Sequence, residues 1–371
     1  MPPPARITFA PLRDLAALEP AWRALEAHAA PSFFQSWTWV GCLAERRYPD
    51  PWLLRAERGG RCVGLALCNR RDGRLWLHES GTAALDAVYI EHNGVLLAQD
   101  AADLLPACLA ALLATRRTLR LSGVDAAHLA ALRAQGAVRV RHAAAAPYVA
   151  LATLPAGPDA YLASRSANTR QQLRRSDRRL GGAAGIRVTR AAGLAQALAF
   201  LDALAELHQA SWVARGRPGA FANPDFRRFH AALLARALPR GEAELLRIDG
   251  AAGVIGYLYN FRLGDRVLAY QSGFDYAAAG RHGKPGLTCH HAAIRQARAD
   301  GVAVYDFLAG DSRYKTSLAA AATPLYWLEA APAWSPAGLR LRARGWAAQL
   351  RLSVLQRGAE PVQQEAGAPF A

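Results

Sequence analysis

The stretch GRHGKPGLTCHHAAIRQARADG, residues 280–301, contains Lys284, one of only two lysines in this chain of 371 residues. The second lysine, Lys315, ends the segment YDFLAGDSRYK. Lys and Arg together number 45, so arginine is the default cation of this sequence. The two side chains are not interchangeable, because a compact ammonium and a planar guanidinium recognise different partners. We therefore predict that each lysine meets a defined anion in one common site.

The residues around Lys284 predict a turn from a strand into a helix. The strand RVLAYQSGFD leads into the loop, and proline beside glycine is typical of a helical first turn. Such a turn leaves backbone N–H groups unpaired, and together with the helix dipole these bind anions. A phosphate or pyrophosphate site is therefore predicted, with a simple glycine-rich helix start as the alternative. Its predicted residues are Arg281, Gly283, Lys284, Pro285, Gly286, Leu287 and Thr288, of which the last three should offer free N–H groups.

The composition fits a soluble globular protein, with 52% hydrophobic and 20% charged residues. The net charge of +16 is compatible with nucleic acid, a membrane surface or an anionic substrate. Because the chain is rich in arginine and alanine throughout, this charge alone is a weak indication of function.

The cysteines and the N-terminus indicate a reducing compartment. No two of the five cysteines have CxxC spacing, which argues against a disulfide framework or a structural zinc. The N-terminus lacks the apolar region of a signal peptide, and no run of 18 apolar residues exists. We expect a cytoplasmic protein without a metal site, in which His290 and His291 serve helix packing.

The order of predicted elements is the same in both halves of the chain. Residues 52–80 predict three strands, 86–98 a further strand region and 148–154 a last strand, while 243–275 predict a second three-stranded meander. Each half thus runs through helices, an antiparallel meander, a helix and a strand, which indicates two copies of one fold. We predict an α/β (α+β) protein of two tandem domains, each a mixed, mostly antiparallel sheet flanked by helices.

Changes in composition along the chain predict where the domains begin and end. The segment LPAGPDA suggests a first domain over 1–154 and a second over 155–335. Residues 336–371 would form a basic helix and tail, because leucine and tryptophan alternate there with arginine. That helix could dock on the second domain or lie on a membrane surface.

The order of meander, glycine-rich loop, helix and strand resembles the GNAT acyltransferase superfamily, whose loop Gln/Arg-x-x-Gly-x-Gly/Ala binds the pyrophosphate of coenzyme A. Arg281 matches the first position and Gly286 the last, whereas Lys284 replaces the middle glycine and Gly283 comes one residue early. A closer resemblance is to CelD-like acyltransferases and Fem-type transferases, which carry two tandem GNAT-like folds. It covers roughly residues 5–330 and is carried by SANTRQQLRRSDRRL, LAELHQASWVARGRPGAF and YDFLAGDSRYK.

The resemblance implies transfer of an acyl group from a coenzyme A thioester to an amine. Asp306, at the end of the strand VAVYDFL, is a candidate base or substrate anchor, or else a buried partner of an arginine. Tyr314 is implied to protonate the thiolate, although it could serve packing. Lys315 is expected to bind a substrate carboxylate, a phosphate or the oxyanion. His208 is expected to face the substrate, or to be an ordinary core or surface histidine.

Further substrate contacts follow from the same resemblance. The pattern LH…W…RG places Trp212 and either Arg215 or Arg217 near the substrate. Asn168 and Arg170, on a helix crowded with arginine, best match the family pattern. The alternative is a solvated basic helix.

These predictions combine into one expected function with two rivals. We expect an acyl-CoA-dependent N-acyltransferase whose acceptor is an amine of a sugar, amino acid or metabolite, small molecule or glycan. The first rival is a Fem-type transferase that uses aminoacyl-tRNA. The second is a non-catalytic module that binds nucleic acid or anionic membrane. Nucleic acid is not the partner we favour, and a membrane contact would use the C-terminal basic helix.

Overall fold

The computed structural model describes residues 4–157, 159–280, 283–310 and 312–344, in which thirteen strands form one sheet flanked by helices. The strands are β1 (Ala5–Pro11), β2 (Pro51–Arg58), β3 (Arg61–Arg71), β4 (Arg74–Leu77), β5 (Leu96–Leu97), β6 (Thr118–Val124), β7 (Gly136–Ala150), β8 (Arg187–Arg190), β9 (Ala243–Gly250), β10 (Gly253–Leu263), β11 (Arg266–Phe274), β12 (Val304–Asp306) and β13 (Ala321–Pro332). The helices are α1 (Glu19–Glu26), α2 (Trp37–Arg47), α3 (Leu105–Leu113), α4 (Ala126–Arg133), α5 (Ala160–Ala163), α6 (Ala167–Gly181), α7 (Leu194–Val213), α8 (Pro224–Ala237), α9 (Tyr276–Ala279), α10 (Pro285–Ala299) and α11 (Arg313–Leu318).

Side-chain caps fix the starts of several helices. The hydroxyl of Ser166 accepts from the Thr169 N–H at the start of α6. The Asn223 side chain accepts from the Asp225 N–H at 2.9 Å and caps α8. Each cap satisfies one of the otherwise unpaired N–H groups of a first turn.

The sheet has the order β1-β2-β3-β4-β6-β13-β7-β12-β11-β10-β9-β8, with β5 paired to β3. An antiparallel meander occupies each edge, and in each the last meander strand is followed by a parallel neighbour, β6 beside β4 and β12 beside β11. The predicted repeat of element order is therefore visible in the strand order. The strands nevertheless form one sheet, so two separate tandem domains are not confirmed.

The two central strands come from opposite ends of the chain. β13 pairs antiparallel with both β6 and β7, and β7 pairs with β12. The last strand of each half therefore pairs with the strand that follows the meander of the other half, β7 with β12 and β13 with β6. The predicted boundary at residues 154–155 lies just after β7. It does not separate two sheets, because strands of both halves pair with one another at the centre of one sheet.

The hydrophobic core also joins both halves. Phe33, just before α2, stacks on Phe261 of β10 with ring centroids 4.1 Å apart. Trp39 of α2 packs edge-on against Phe229 of α8 at 5.1 Å. The Thr38 hydroxyl bonds the Glu242 carboxylate across the same contact. Aromatic packing of this kind stabilises through buried area and ring geometry together, so the two halves hold each other in place.

The strands in the structure differ from the predicted strands at three places. The region 86–98 forms only the short strand β5, and β13 was not predicted at all. β7 is also longer than expected, because it begins at Gly136. In addition, the described part of the chain contains no helix with the length and apolar character to cross a bilayer.

Candidate functional site

A wedge opens between the parallel strands β11 and β12. They pair only through Arg266–Leu268 and Val304–Asp306, although β11 continues to Phe274. Beyond that pairing the chain after β12 turns away into α11. Three adjoining cavities fill the space that the two diverging segments leave.

The three cavities form a continuous groove. The first, about 510 Å³, lies between the starts of α6, α10 and α11. The second, about 470 Å³, shares Tyr276 and Tyr314 with the first. The third, about 320 Å³, shares His208, Trp212 and Lys315 with the second. We name them the entrance, middle and inner cavities.

The entrance cavity is cationic. Lys284 and Arg313 line it together with the polar side chains of Asn168 and Gln172. The Lys284 Nζ donates to Gln172 Oε1 at 2.8 Å. No carboxylate is found among the described residues that line it. Among its described residues, this end of the groove therefore offers two cations and no carboxylate to a ligand.

The start of α10 is less open than predicted. The N–H groups of Leu287 and Thr288 both donate to the Lys284 carbonyl, so the expectation that they are unpaired is wrong. The Thr288 hydroxyl is fully buried and bonds Ser176 Oγ at 2.8 Å, which ties α10 to α6. Gly283, Gly286 and Leu287 do line the entrance cavity, whereas Pro285 is buried and Arg281 lies outside the described residues.

Tyr314 lies where the entrance and middle cavities meet. Its ring stacks on His290 with centroids 5.3 Å apart. Burial raises the pKa of Tyr314 to about 12, with the nearby Ser312 hydroxyl opposing the shift. The phenol therefore keeps its proton at neutral pH and can act as a donor.

His290 forms the wall behind Tyr314, not only a helix-packing contact. The side chain is 2% exposed, and its Nδ1 lies 3.0 Å from the Tyr305 hydroxyl. Burial lowers the pKa of His290 to about 3, and the Lys315 charge adds to the effect. The ring is therefore neutral. Within the described residues its Nε2 has no hydrogen-bond partner.

His208 and Trp212 line both the middle and inner cavities. The His208 Nδ1 lies 3.0 Å from the Ser272 carbonyl, which can only accept, so Nδ1 carries the proton. Burial lowers the pKa of His208 and keeps the ring neutral. Of the two alternative arginines, Arg215 lines the middle cavity, whereas Arg217 is exposed and outside the lining.

Lys315 holds a backbone turn at the edge of the inner cavity. Its Nζ donates to the carbonyls of Leu308 and Ala309 at 3.2 and 2.8 Å. Leu308 has a φ of 60°, in the left-handed region that non-glycine residues rarely adopt. The ammonium thus has a clear structural contact in addition to its position on the groove.

Asp306 lies behind that turn and is fully buried. Its Oδ1 accepts from the Leu308 N–H at 2.8 Å, and its Oδ2 lies 3.3 Å from Arg266 and 3.1 Å from His92. It is absent from the described linings of the three cavities. The arrangement matches the alternative prediction, that Asp306 is the buried partner of an arginine.

Arg170 is likewise engaged with the backbone. Its Nη1 donates to the Arg165 carbonyl at 2.6 Å, and it does not belong to the described lining of the groove. By contrast, α6 exposes Arg174, Arg175, Arg178 and Arg179, for which the described residues supply no carboxylate partner.

The sequence did not predict that residues of the first half line the inner cavity. Tyr89 and Glu91 line the inner cavity opposite Lys315 and Tyr270. These residues follow no motif, because they come from a loop that reaches the groove only through the shared sheet. Tyr89 has a φ of 51°, and such backbone strain clusters at functional sites.

A larger cavity, about 860 Å³, lies on the other side of α10. Arg178, Arg295 and Arg298 line it, and its buried pair His291–Asp177 is already joined at 2.7 Å. Apart from Thr288, whose hydroxyl is used by Ser176, it contains none of the predicted site residues. We therefore place the candidate site in the groove.

The start of the predicted C-terminal helix is docked. Leu341 packs on Ala137 and Ala331, at the ends of β7 and β13. Trp334 is 82% exposed, with the Arg342 guanidinium 5.0 Å from its ring. The remainder of the predicted helix and tail, 345–371, lies outside the described residues.

Part of the chain matches a known family model. Residues 167–316 match the family model described as an acetyltransferase (GNAT) domain, a segment that holds α6, α7, β11, α10 and the turn with Lys315. No curated protein matches the sequence. The predicted closer resemblance to CelD-like proteins is not confirmed.

Solved structures resemble the chain over nearly its whole length. FemX superposes with a TM-score of 0.56 at 10% identity, covering 88% of this chain and 97% of FemX. The C-terminal domain described as that of a lysylphosphatidylglycerol synthetase of Agrobacterium fabrum gives 0.52 at 12%, covering 89% and 96%. L-PGS of Bacillus licheniformis gives 0.52 at 11%, covering 87% and 95%. At such identities the likeness shows the fold alone, so the chain has a FemX-like fold in which residues 167–316 match a GNAT acetyltransferase domain.

Proposed function

We propose that this protein transfers an acyl group from a coenzyme A thioester to an amine. The groove between the diverging strands β11 and β12 carries the proposal. It has a cationic entrance, a protonated phenol at its centre and an inner cavity that opens towards the first half of the chain. The match of residues 167–316 to an acetyltransferase domain supports the same reaction class.

The residues of the groove suit both the phosphates and the thioester of such a donor. Lys284 and Arg313 would bind its phosphates, because two cations and the dipole of α10 converge there. When bound, the thioester supplies an activated acyl group. Tyr314 holds a proton that it can deliver to a departing thiolate, since its raised pKa keeps it neutral. The inner cavity is left for the acceptor.

The buried Asp306 supports the groove without contacting it. Both of its oxygens already meet donors, so it shapes the turn at Leu308 that carries the inner wall. We assign it a positioning role.

An aminoacyl-tRNA donor is the second candidate. The four exposed arginines of α6 form a basic surface beside the entrance. FemX and the lysylphosphatidylglycerol synthetase domain share the fold, and the name of the latter describes a lysyl lipid product. Binding that depends on phosphate contacts weakens steeply with salt, which provides a test.

The experiment is a thermal shift series with coenzyme A, acetyl-CoA, a medium-chain and a long-chain acyl-CoA. A ligand at 100 times its Kd stabilises the folded state by about 2.7 kcal/mol, so Tm should rise by several degrees. Arg313→Ala should reduce the shift. Arg133→Ala, an exposed arginine at the end of α4, should leave it unchanged.

The outcomes separate the three hypotheses. A shift that grows with chain length indicates a long acyl donor, and an equal shift indicates that the acyl chain contributes little. No shift with any coenzyme A compound, but a salt-sensitive shift with tRNA, would favour the second candidate. Salt-sensitive binding to nucleic acid or anionic vesicles, with no acyl transfer from any donor, would indicate a non-catalytic module.

A further inference from the structure

Glu91 is the one carboxylate among the described residues that line the three cavities. It lies in the inner cavity, at the far end of the groove from Lys284 and Arg313. The entrance therefore carries two cations and no carboxylate among its described residues, whereas the inner cavity holds Glu91 together with Lys315, whose ammonium bonds the Leu308 and Ala309 carbonyls. The two ends of the groove thus offer different charges to two substrates.

The fold holds Glu91 in place from behind. The Asn93 N–H donates to the Gly123 carbonyl at 3.0 Å, which joins this loop to the end of β6. Gly123 has a φ of 63°, and a Cβ there would lie 2.6 Å from the Glu91 Cα. A glycine is thus required for the loop to approach β6 so closely.

The Glu91 carboxylate keeps one oxygen for a ligand. Its Oε2 accepts from the Ala309 N–H at 2.5 Å. No group in the described part of the chain donates to Oε1. Because an ionised carboxylate accepts several hydrogen bonds, the side chain can hold the turn at Ala309 and a cationic ligand together.

Aromatic rings form the remaining walls of the inner cavity. Tyr89, Trp212 and Tyr270 line it, with Tyr270 fixed by a hydrogen bond from its hydroxyl to the Val88 carbonyl. Aromatic faces attract ammonium groups through the ring quadrupole, and the attraction is strongest where water is excluded. A carboxylate within an aromatic wall is the combination that recognises an organic cation.

We propose that the inner cavity binds the acceptor as an ammonium cation and that Glu91 is the base that receives its proton. The proposal rests on the proposed function and adds the chemical class of the acceptor. The ammonium gives one N–H proton to Glu91, and the nitrogen then holds the lone pair that forms the bond to the acyl carbon. The bond from that carbon to sulfur breaks, and the sulfur takes the proton of Tyr314. The acylated nitrogen then loses its second proton, which restores the Tyr314 phenol, and Glu91 releases the first proton to solvent.

Several charged groups face Glu91 and set how it titrates. Burial raises the pKa of Glu91, whereas the Ala309 N–H and the charges of Lys315 and His92 oppose the shift, and Asp306 adds to it. A raised pKa suits a base, because the carboxylate then accepts a proton more readily. Cation affinity should increase as the pH rises through the pKa of Glu91 and then level off.

The test compares choline with 3,3-dimethylbutan-1-ol, which has the same shape without the charge. Binding is measured by calorimetry on the full chain without donor, and acetyl-CoA binding is measured separately. Choline should bind at least tenfold more tightly than the neutral compound. Glu91→Gln should lose tenfold or more of the choline affinity, because glutamine can still accept from Ala309 but carries no charge.

Glu206→Gln is the matched control, since Glu206 is an exposed carboxylate on α7, the helix that carries His208. It should bind choline like the wild type. Equal affinity for choline and the neutral compound, or unchanged choline affinity in folded Glu91→Gln, would overturn the inference. If the cation binds as expected but no coenzyme A compound does, the cation site stands and the proposed donor is wrong.

Discussion

At the scale of single residues, the two lysines have different partners. The Lys315 ammonium bonds two backbone carbonyls, and a Cβ on Gly310 would lie 3.1 Å from its Nζ. A compact ammonium reaches both carbonyls at once, a geometry that suits lysine better than the planar guanidinium of arginine. The Lys284 ammonium instead donates to the Gln172 side chain, at the cationic entrance. That both lysines meet an anion in one common site stays a prediction.

The difference gives a paired prediction. Lys315→Met should destabilise the protein by about 1–3 kcal/mol, because two buried carbonyls lose a charged donor. Lys284→Met should change stability by less than about 0.5 kcal/mol, as an exposed substitution, but should weaken coenzyme A binding. Urea unfolding and thermal shift with coenzyme A measure the two effects. Equal stability losses in both variants would contradict the assignment.

At the scale of elements, the first half contains the same wedge in a filled form. β4 and β6 pair in parallel only through Arg74–Trp76 and Thr118–Arg120. Beyond them, His78 and Asn93 are buried and bonded at 2.7 Å, and Ser122 donates to Glu79 at 2.8 Å. Polar side chains thus fill the space in the first half that corresponds to the groove in the second half. This explains why only one of the two wedges is a candidate site.

The filled wedge has a measurable pH dependence. Burial raises the pKa of Glu79 to about 8 from 4.5. Its contribution to stability is therefore complete below about pH 4.5 and is lost as the pH rises to 8, by about 1.4 kcal/mol for each pH unit. Glu79→Gln stays neutral, so its stability relative to the wild type should increase between pH 5 and pH 8, by a few kcal/mol in total. Melting curves across that range measure the difference, and parallel profiles would contradict it.

The sequence was sufficient for elements whose pattern is local. The meanders of both halves, the helices α6, α7, α8 and α10 and the cap Asn223 follow from periodicity, turns and capping residues. β13 and the first part of β7 could not be found this way. They contain runs of alanine with Pro147 and Pro324, which have low strand propensity. These segments form strands only because they pair with each other, a tertiary effect.

For the site, the sequence identified residues within the recognisable motifs and missed those that the first half contributes. Residues inside the motif-bearing segment, such as His208, Tyr314 and Lys284, do line the groove. Tyr89 and Glu91 were missed, since their place in the inner cavity depends on how the first half folds back through β7 and β13. The free N–H groups of α10 were overestimated, because the Lys284 carbonyl accepts from two of them.

At the scale of the whole molecule, the shared centre of the sheet opposes a division into two domains. The fragments 1–154 and 155–335 should not fold alone, because β13 lies between β6 and β7 and removing it exposes two strand edges. Co-expressed, the fragments should assemble into a complex that binds coenzyme A like the intact chain. Circular dichroism, urea unfolding and size-exclusion chromatography test this. A fragment 1–154 that unfolds cooperatively by itself would instead support two tandem domains.

The crossed central strands also constrain how the protein is made. β6 pairs with β13, a partner roughly 200 residues further along the chain. A ribosome adds about 5–20 residues per second, so the first meander waits on the order of 10–40 s for that partner to emerge. During this interval the β6 edge is open, and such long-range pairing is intrinsically slow. We therefore expect that a chaperone which covers the open β6 edge during synthesis increases the yield of folded protein.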